Sequence, residues 1–129
     1  MSTTSLNINP NTNGLIENGL NLGTADASTN YILNFNYPSK LIEFQFQWNN
    51  VSSSTGAIHI YDTNDPNLNY YEYIVTDTSL NLPLSIHDVS SGNVKVLLNQ
   101  FMGVSIKLTV SKGNSSAGTL KIAYGSRSI

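Results

Sequence analysis

The sequence contains no cysteine in its 129 residues, which excludes disulfide bonds and thiolate metal sites. Charged residues are also scarce, at 11% of the chain against about 25% in ordinary soluble domains. The net charge of −2 is nearly balanced, so no partner such as nucleic acid or an anionic membrane is indicated. Solubility must come instead from uncharged polar residues, of which there are 18 Asn, 17 Ser and 11 Thr.

Such a surface repels its neighbours only weakly, because few like charges face each other. This property suits a protein that packs into a crowded assembly, or one that is secreted into a harsh medium. AT-rich coding would produce the same excess of asparagine without any functional cause. All three explanations stay open at this stage.

The sequence also lacks the hydrophobic runs that direct chains to membranes. Residues 1–5 carry neither the basic nor the apolar region of a signal peptide. No stretch of 18 apolar residues occurs anywhere in the chain. We therefore expect synthesis in a cytoplasm, no export by a standard signal and no membrane span.

From residue 31 onward, apolar residues recur with a period of two, which is typical of strands that bury one face. No segment has a convincing helical period, and turn residues separate the alternating runs. The pattern predicts an all-β fold over residues 29–129, an antiparallel β-sandwich or jelly roll of about seven to eight strands. Residues 104–110 and 119–124 look like a hairpin across residues 112–118. The expected interior is Phe44, Phe46, Trp48, Ile58, Ile60, Val94, Val96, Ile106, Leu108 and Ile122.

Residues 1–28 have a different composition, rich in Asn, Gly, Ser and Thr. Their few aliphatic side chains cannot form a core of their own. This predicts an N-terminal arm, or a loosely attached edge strand, that becomes ordered on a partner. The aliphatic residues available to pin it are Leu6, Ile8, Leu15, Ile16, Leu20 and Leu22.

No arrangement of residues indicates catalysis. The two histidines are His59, in mid-strand on the face opposite its isoleucine neighbours, and His87, which precedes Asp88 near a strand end. A nucleophile elbow is absent, and acyl transfer needs a base beside its nucleophile. Glu43 and Glu72 lie in strands and could form a glycosidase pair, but both fit better as solvated strand residues. The sequence therefore predicts no enzyme, no catalytic residue and no cofactor.

The loop at residues 62–67 has oxygen-bearing side chains at alternate positions, as part of a calcium loop would. However, Asn67 stands where an EF-hand loop needs glycine, and Tyr73 stands where it needs a bidentate acid. Asn and Asp in such a sequence also form ordinary turns by bonding nearby backbone amides. We predict a structural turn and no metal site.

Aromatic residues give the best sequence argument for ligand binding. Trp48, Tyr61 and Tyr70 are the candidate contacts, because exposed rings stack on sugars or fill a partner's pocket. Tyr71 and Tyr73 share one strand face by alternation, and a place in the core is the better prediction for both.

The region from about residue 42 to residue 126 resembles a family of small phage virion proteins. The resemblance rests on an aromatic strand, a turn ending in glycine, a strand leading to an Asn-Asp turn, an aromatic run, a Leu-Asn-Gln segment and two late strands. The order of elements is also similar to that of discoidin-like jelly rolls, which bind carbohydrate or lipid head groups. The residues concerned are Phe44-Gln45-Phe46-Gln47-Trp48, Ser54-Thr55-Gly56, Ile58-His59-Ile60-Tyr61-Asp62-Thr63-Asn64-Asp65, Asn69-Tyr70-Tyr71-Glu72-Tyr73, Leu98-Asn99-Gln100-Phe101, Val104-Ser105-Ile106-Lys107-Leu108-Thr109-Val110 and Ala117-Gly118-Thr119-Leu120-Lys121-Ile122.

The resemblance implies a virion component assembled in the host cytoplasm: a capsid accessory, vertex or decoration protein without catalytic residues. Its implied partners are major capsid or vertex proteins and further copies of itself. Two features depart from the family pattern. Tyrosines replace the tryptophan that often follows the Asn-Asp turn, and Lys107 is the nearest match to an arginine in the late strand. The alternative function is a carbohydrate-binding module, including a receptor-binding role on a virion, that uses the three aromatic candidates.

Overall fold

The computed structural model describes residues 2–37, 40–52, 55–65, 67, 69–72, 84–86, 90–101 and 103–128, with backbone alone at residues 40 and 99–101. These residues contain ten strands in two sheets, which confirms the predicted all-β sandwich. The strands are β1 (Ser2–Ile8), β2 (Thr12–Asn21), β3 (Ser28–Phe35), β4 (Lys40–Asn49), β5 (Ala57–Thr63), β6 (Tyr71–Glu72), β7 (Leu84–Ser85), β8 (Gly92–Phe101), β9 (Ser105–Ser111) and β10 (Thr119–Ser128).

Strands that follow each other in sequence mostly lie in different sheets. Sheet A has the order β1-β3-β9-β5-β6, with β7 also paired to β5, and sheet B has the order β2-β10-β4-β8. The chain alternates between the two sheets from β1 through β5 and again from β8 through β10. Strand β2, which lies in the opposite sheet, carries the chain back between β1 and β3. Strand β3 therefore runs in the same direction as β1, and the two strands pair in parallel. All other pairs are antiparallel.

The predicted hairpin between the last two strands is wrong. Strand β9 belongs to sheet A and β10 to sheet B, so residues 112–118 cross from one sheet to the other. Two glycines with positive φ shape this crossing, Gly113 at 60° and Gly118 at 118°. A Cβ at Gly118 would lie 2.7 Å from the Cα of Val51. Glycines and other turn residues occur in a connection between two sheets as well as in a hairpin. The turn residues alone therefore could not show whether β10 pairs with β9.

The predicted interior is confirmed for nine of its ten residues, and the tenth, Val94, is partly buried against the core. Trp48 is among the largest buried side chains and is only 2% exposed. Its ring covers Gly92 on the neighbouring strand, where an added Cβ would lie 2.3 Å from the Cζ2 of Trp48. The alternating pattern therefore located the core correctly on the central strands.

The segment assigned to an N-terminal arm forms the outer strands on one side of the sandwich. Strand β1 lies at the edge of sheet A and β2 at the edge of sheet B. Ile8, Ile16 and Leu22 are buried in the common core. In the structure this segment is paired within its own chain. The expectation that its order depends on a partner stays a prediction.

A cross-sheet hydrogen bond connects β2 to β3 on this side of the sandwich. The buried Tyr31 hydroxyl donates to the Glu17 carboxylate at 2.6 Å, and the Gly19 amide donates to the other carboxylate oxygen at 3.4 Å. Burial raises the pKa of Tyr31 far above the usual phenol value, and the neighbouring Glu17 carboxylate raises it further. The phenol therefore remains a hydrogen-bond donor throughout the neutral pH range.

Candidate ligand-binding face

The outer face of sheet A carries a patch of aromatic and polar side chains. On β5, Ile58 and Ile60 point into the core, so His59 and Tyr61 point outward. The register places His59 opposite Thr109 and Tyr61 opposite Lys107 of β9.

Lys107 lies between two tyrosine rings. Its ammonium nitrogen is 4.9 Å from the ring centroid of Tyr61 and 5.2 Å from that of Tyr70, within the range of cation–π attraction. Tyr70 extends across the face, and its hydroxyl lies 2.8 Å from the Oγ of Ser105, which in turn donates to Asn34 at 3.3 Å. These contacts hold the rings and the cation in one fixed arrangement.

His59 of β5 and Glu72 of the neighbouring strand β6 extend this arrangement. The imidazole stacks on Tyr61, with ring centroids 6.0 Å apart and planes 19° apart. Its Nδ1 lies 3.0 Å from the Oε1 of Glu72. We refer to His59, Tyr61, Tyr70, Glu72 and Lys107 as the outer-face cluster.

The outer-face cluster combines flat apolar surface with fixed hydrogen-bonding groups of both charge signs. Burial raises the pKa of Tyr61, and the nearby Glu72 carboxylate raises it further, so this phenol stays neutral at physiological pH. A neutral ring edged by an ammonium and a carboxylate suits the stacking and hydrogen bonding of a polar ring such as a sugar.

Two of the three predicted contact residues meet in this cluster. Tyr61 and Tyr70 are nine positions apart in sequence and contact the same ammonium group of Lys107. Trp48 lies in the core between the sheets, which agrees with the predicted interior and removes it from the candidate contacts. The sequence argument missed the central position of Lys107, because only the register between β5 and β9 brings it beside Tyr61.

Tyr71 contradicts the prediction that it belongs to the core, because 70% of its surface is exposed. It lies in β6, which has only two residues and is at the edge of sheet A. The alternation assigned a face correctly relative to Glu72, but an edge position leaves that face without cover. Tyr73 lies outside the described residues.

The suggested pair of carboxylates does not form a cleft. Glu43 projects from sheet B and lies 3.4 Å from the ammonium of Lys95, whereas Glu72 belongs to the outer face of sheet A. His59 occupies the polar strand face that its sequence position predicted. His87 and Asp88 lie outside the described residues. Within the described part of the chain, no group of three or more His, Asp or Glu residues is placed to hold a metal.

The loop at residues 62–67 uses its side chains in turn contacts. Thr63 donates from its hydroxyl to the backbone oxygen of Asp65 at 2.7 Å, and the Asp65 carboxylate accepts the Asn67 amide at 2.9 Å. Burial raises the pKa of Asp62, which lies in β5 beside the turn. These contacts are the turn chemistry that the sequence indicated.

A concave region lies on the outer face of sheet B. It is a shallow depression of about 220 Å³ around Gly125, which has no side chain. Gly125 pairs with Asn13 of β2 on one side and with Glu43 of β4 on the other. Arg127 donates to the Asn13 side chain at 3.1 Å beside it. The only ring in its lining is that of Tyr124, so it offers less stacking surface than the outer-face cluster.

Comparison with protein families and with curated proteins finds no match to this sequence. Among solved structures, the chain is similar to the pre-peptidase C-terminal domain of a collagenase from Bacillus anthracis. The TM-score is 0.45 at 10% sequence identity, over 98% of this chain and 95% of that domain. Across the residues described, no helix is long and apolar enough to cross a membrane.

Proposed function

We propose that this chain is a non-enzymatic structural component of a bacteriophage virion: a capsid accessory, vertex or decoration protein. The observation that carries the proposal is a buried sandwich core in a chain with unusually few charges, 11% of all residues. The order of strand motifs, which resembles that of small phage virion proteins, adds support.

The physical argument concerns packing among many copies. Subunits at fixed positions on a particle have neighbours of identical charge, so a weakly charged surface reduces repulsion between them. Amide and hydroxyl side chains still supply hydrogen bonds at such contacts. In β1, for example, Ser2, Thr3, Thr4, Ser5 and Asn7 are all exposed and uncharged. The partners in this proposal are major capsid or vertex proteins and further copies of the chain.

Mass spectrometry of purified particles, with copy numbers measured against the major capsid protein, tests the proposal. We expect the chain in purified particles at a fixed ratio that matches a symmetric site, such as one per capsomer or a multiple per vertex. Its absence from density-purified particles, or a variable trace amount that salt washing removes, would contradict a structural role.

A carbohydrate-binding role is a second candidate, favoured by the specific contact of Lys107 with the rings of Tyr61 and Tyr70. Two rings fixed around a cation on an open sheet face provide a platform for a sugar ring. Both functions would be compatible in a virion protein that also binds a receptor glycan.

Changing Tyr61 to alanine should weaken glycan binding at least about fivefold, because central aromatic contacts each contribute more than about 1 kcal/mol. The measurement is a glycan array followed by titration of any bound sugar. Tyr71→Ala is the matched control, since it removes an exposed ring that precedes Glu72 on the same short strand but faces the other way. Equal loss in both variants, or no glycan bound by the parent protein at micromolar to millimolar concentration, would reject this candidate.

A further inference from the structure

We propose that β1 is a self-association edge: it pairs antiparallel with β1 of a second copy of this chain, about a twofold axis at Ser5. The two copies of sheet A would then join into one continuous sheet. This inference concerns the isolated chain and does not depend on the proposed virion role.

Over the described residues, strand β1 shows no charge, proline, bulge or shortness of the kind that protects a free sheet edge. Among the described residues it pairs only with β3, which leaves the backbone groups of its other edge without a strand partner. Proteins usually block such edges with charges, prolines, bulges or very short strands. The seven residues from Ser2 to Ile8 include no charge and no proline, and their pairing with β3 runs in unbroken register.

The other outer strands of the described fold each carry such a feature. Strand β8 contains Lys95, and β6 and β7 have only two residues each. The pairing of β2 with β10 is interrupted by register shifts around Ile122. Strand β1 is therefore the edge best suited to accept another strand.

The two strands at this side of the sandwich, β1 and β2, carry a single charged side chain between them. The hydrogen bond from Tyr31 in β3 to Glu17 in β2 shows that the β1 edge and the β2 edge lie on the same side. Across residues 2–21, Glu17 is the only charged residue, and its carboxylate already accepts bonds from Tyr31 and Gly19. Arg127 of β10 also reaches this side, where it donates to Asn13 of β2. Two copies can thus approach through β1 itself, which carries no charged side chain.

The occupant we assign is a second copy, because the β1 sequence is self-complementary in the antiparallel register centred on Ser5. Ser5 then lies opposite Ser5, and Thr3 lies opposite Asn7 on the outward face. On the inward face Thr4 lies opposite Leu6, which is half-buried at the edge of the core. At each end of the paired segment Ser2 lies opposite Ile8. Hydroxyl side chains that face each other hydrogen-bond across strands, and a twofold axis makes every contact twice.

Analytical ultracentrifugation over micromolar to millimolar concentration tests this inference. We expect a monomer–dimer equilibrium for the parent chain and a dimer dissociation constant at least about tenfold higher for Ser5→Lys, because lysine on an edge opposes strand pairing. The control is Gln47→Lys on the central strand β4 of sheet B, which adds the same charge at another exposed site and should leave the equilibrium unchanged. Circular dichroism checks that both variants keep the parent fold.

Because the chain has no cysteine, an introduced one reports the register directly. Oxidised Ser5→Cys should form a disulfide-linked dimer rapidly, whereas Gln47→Cys should remain monomeric under the same conditions. A parent chain that stays monomeric at millimolar concentration overturns the inference. A dimer that Ser5→Lys leaves intact, or one in which both cysteine variants crosslink equally, overturns it as well. None of these results bears on whether the chain is present in virions.

Discussion

Replacing Trp48 with alanine should lower the free energy of unfolding by about 3–5 kcal/mol, the usual cost of removing a large aromatic side chain from a core. Trp48 is 2% exposed and its ring covers Gly92, which has no side chain of its own to fill the space. The measurement is equilibrium unfolding in guanidinium chloride. Unfolding is monitored by far-UV circular dichroism, because the variant lacks the only tryptophan and so gives no tryptophan fluorescence.

Tyr61→Ala serves as the comparison for this experiment. Tyr61 is only half-buried on the outer face of sheet A, so its loss should cost about 1 kcal/mol or less, the range of an exposed cation–π contact. The two variants thus separate a core residue from a surface residue among the aromatic candidates that the sequence grouped together. If Trp48→Ala leaves the stability unchanged but abolishes glycan binding, Trp48 belongs to the ligand-binding face and not to the core.

The faces of the central strands could be predicted from the sequence because burial imposes a period of two on each strand separately. In β4, Phe44 and Phe46 are fully buried while Gln47 is exposed, as the alternation indicates. This information is local, since it requires only that one side of a strand faces a core. It holds whichever strands become neighbours.

The identity of those neighbours could not be predicted in the same way. The alternation of apolar and polar residues in β9 and β10 fits a hairpin and a pair of strands in opposite sheets equally well. Gly113 and Gly118 permit either connection. Pairing in a sandwich depends on how all strands share one interior, which is a property of the whole chain. The same limit applies to the outer-face cluster, since only the pairing of β5 with β9 places Lys107 beside Tyr61.

The N-terminal segment shows how little composition alone says about the place of a strand in the fold. Residues 1–28 are too polar to form a core, yet an edge strand needs only a few buried side chains when the rest of the core already exists. Ile8, Ile16 and Leu22 are spaced eight and six residues apart, which hides their shared role from any short-window pattern. Because they are buried against strands from later in the sequence, their contribution follows from the fold and not from their neighbours.

Replacing Ile8 with alanine should therefore lower the free energy of unfolding of the isolated chain by about 2–4 kcal/mol, the range for a buried isoleucine. Ile8 is 2% exposed at the end of β1 and packs into the common core. The matched control is Leu15→Ala in β2, which removes an aliphatic side chain that is 57% exposed and should change stability by about 0.5 kcal/mol or less. Denaturant unfolding of both variants, at concentrations where the parent is monomeric, gives the comparison.

Amide exchange on the isolated monomer completes this test. If β1 and β2 are ordered by their own sheets, the amides that pair β1 with β3 and β2 with β10 should exchange far more slowly than those of a free peptide. An arm that becomes ordered only on a partner would give the opposite result. Its amides would exchange at peptide rates in the monomer, and Ile8→Ala would then leave stability as unchanged as Leu15→Ala does.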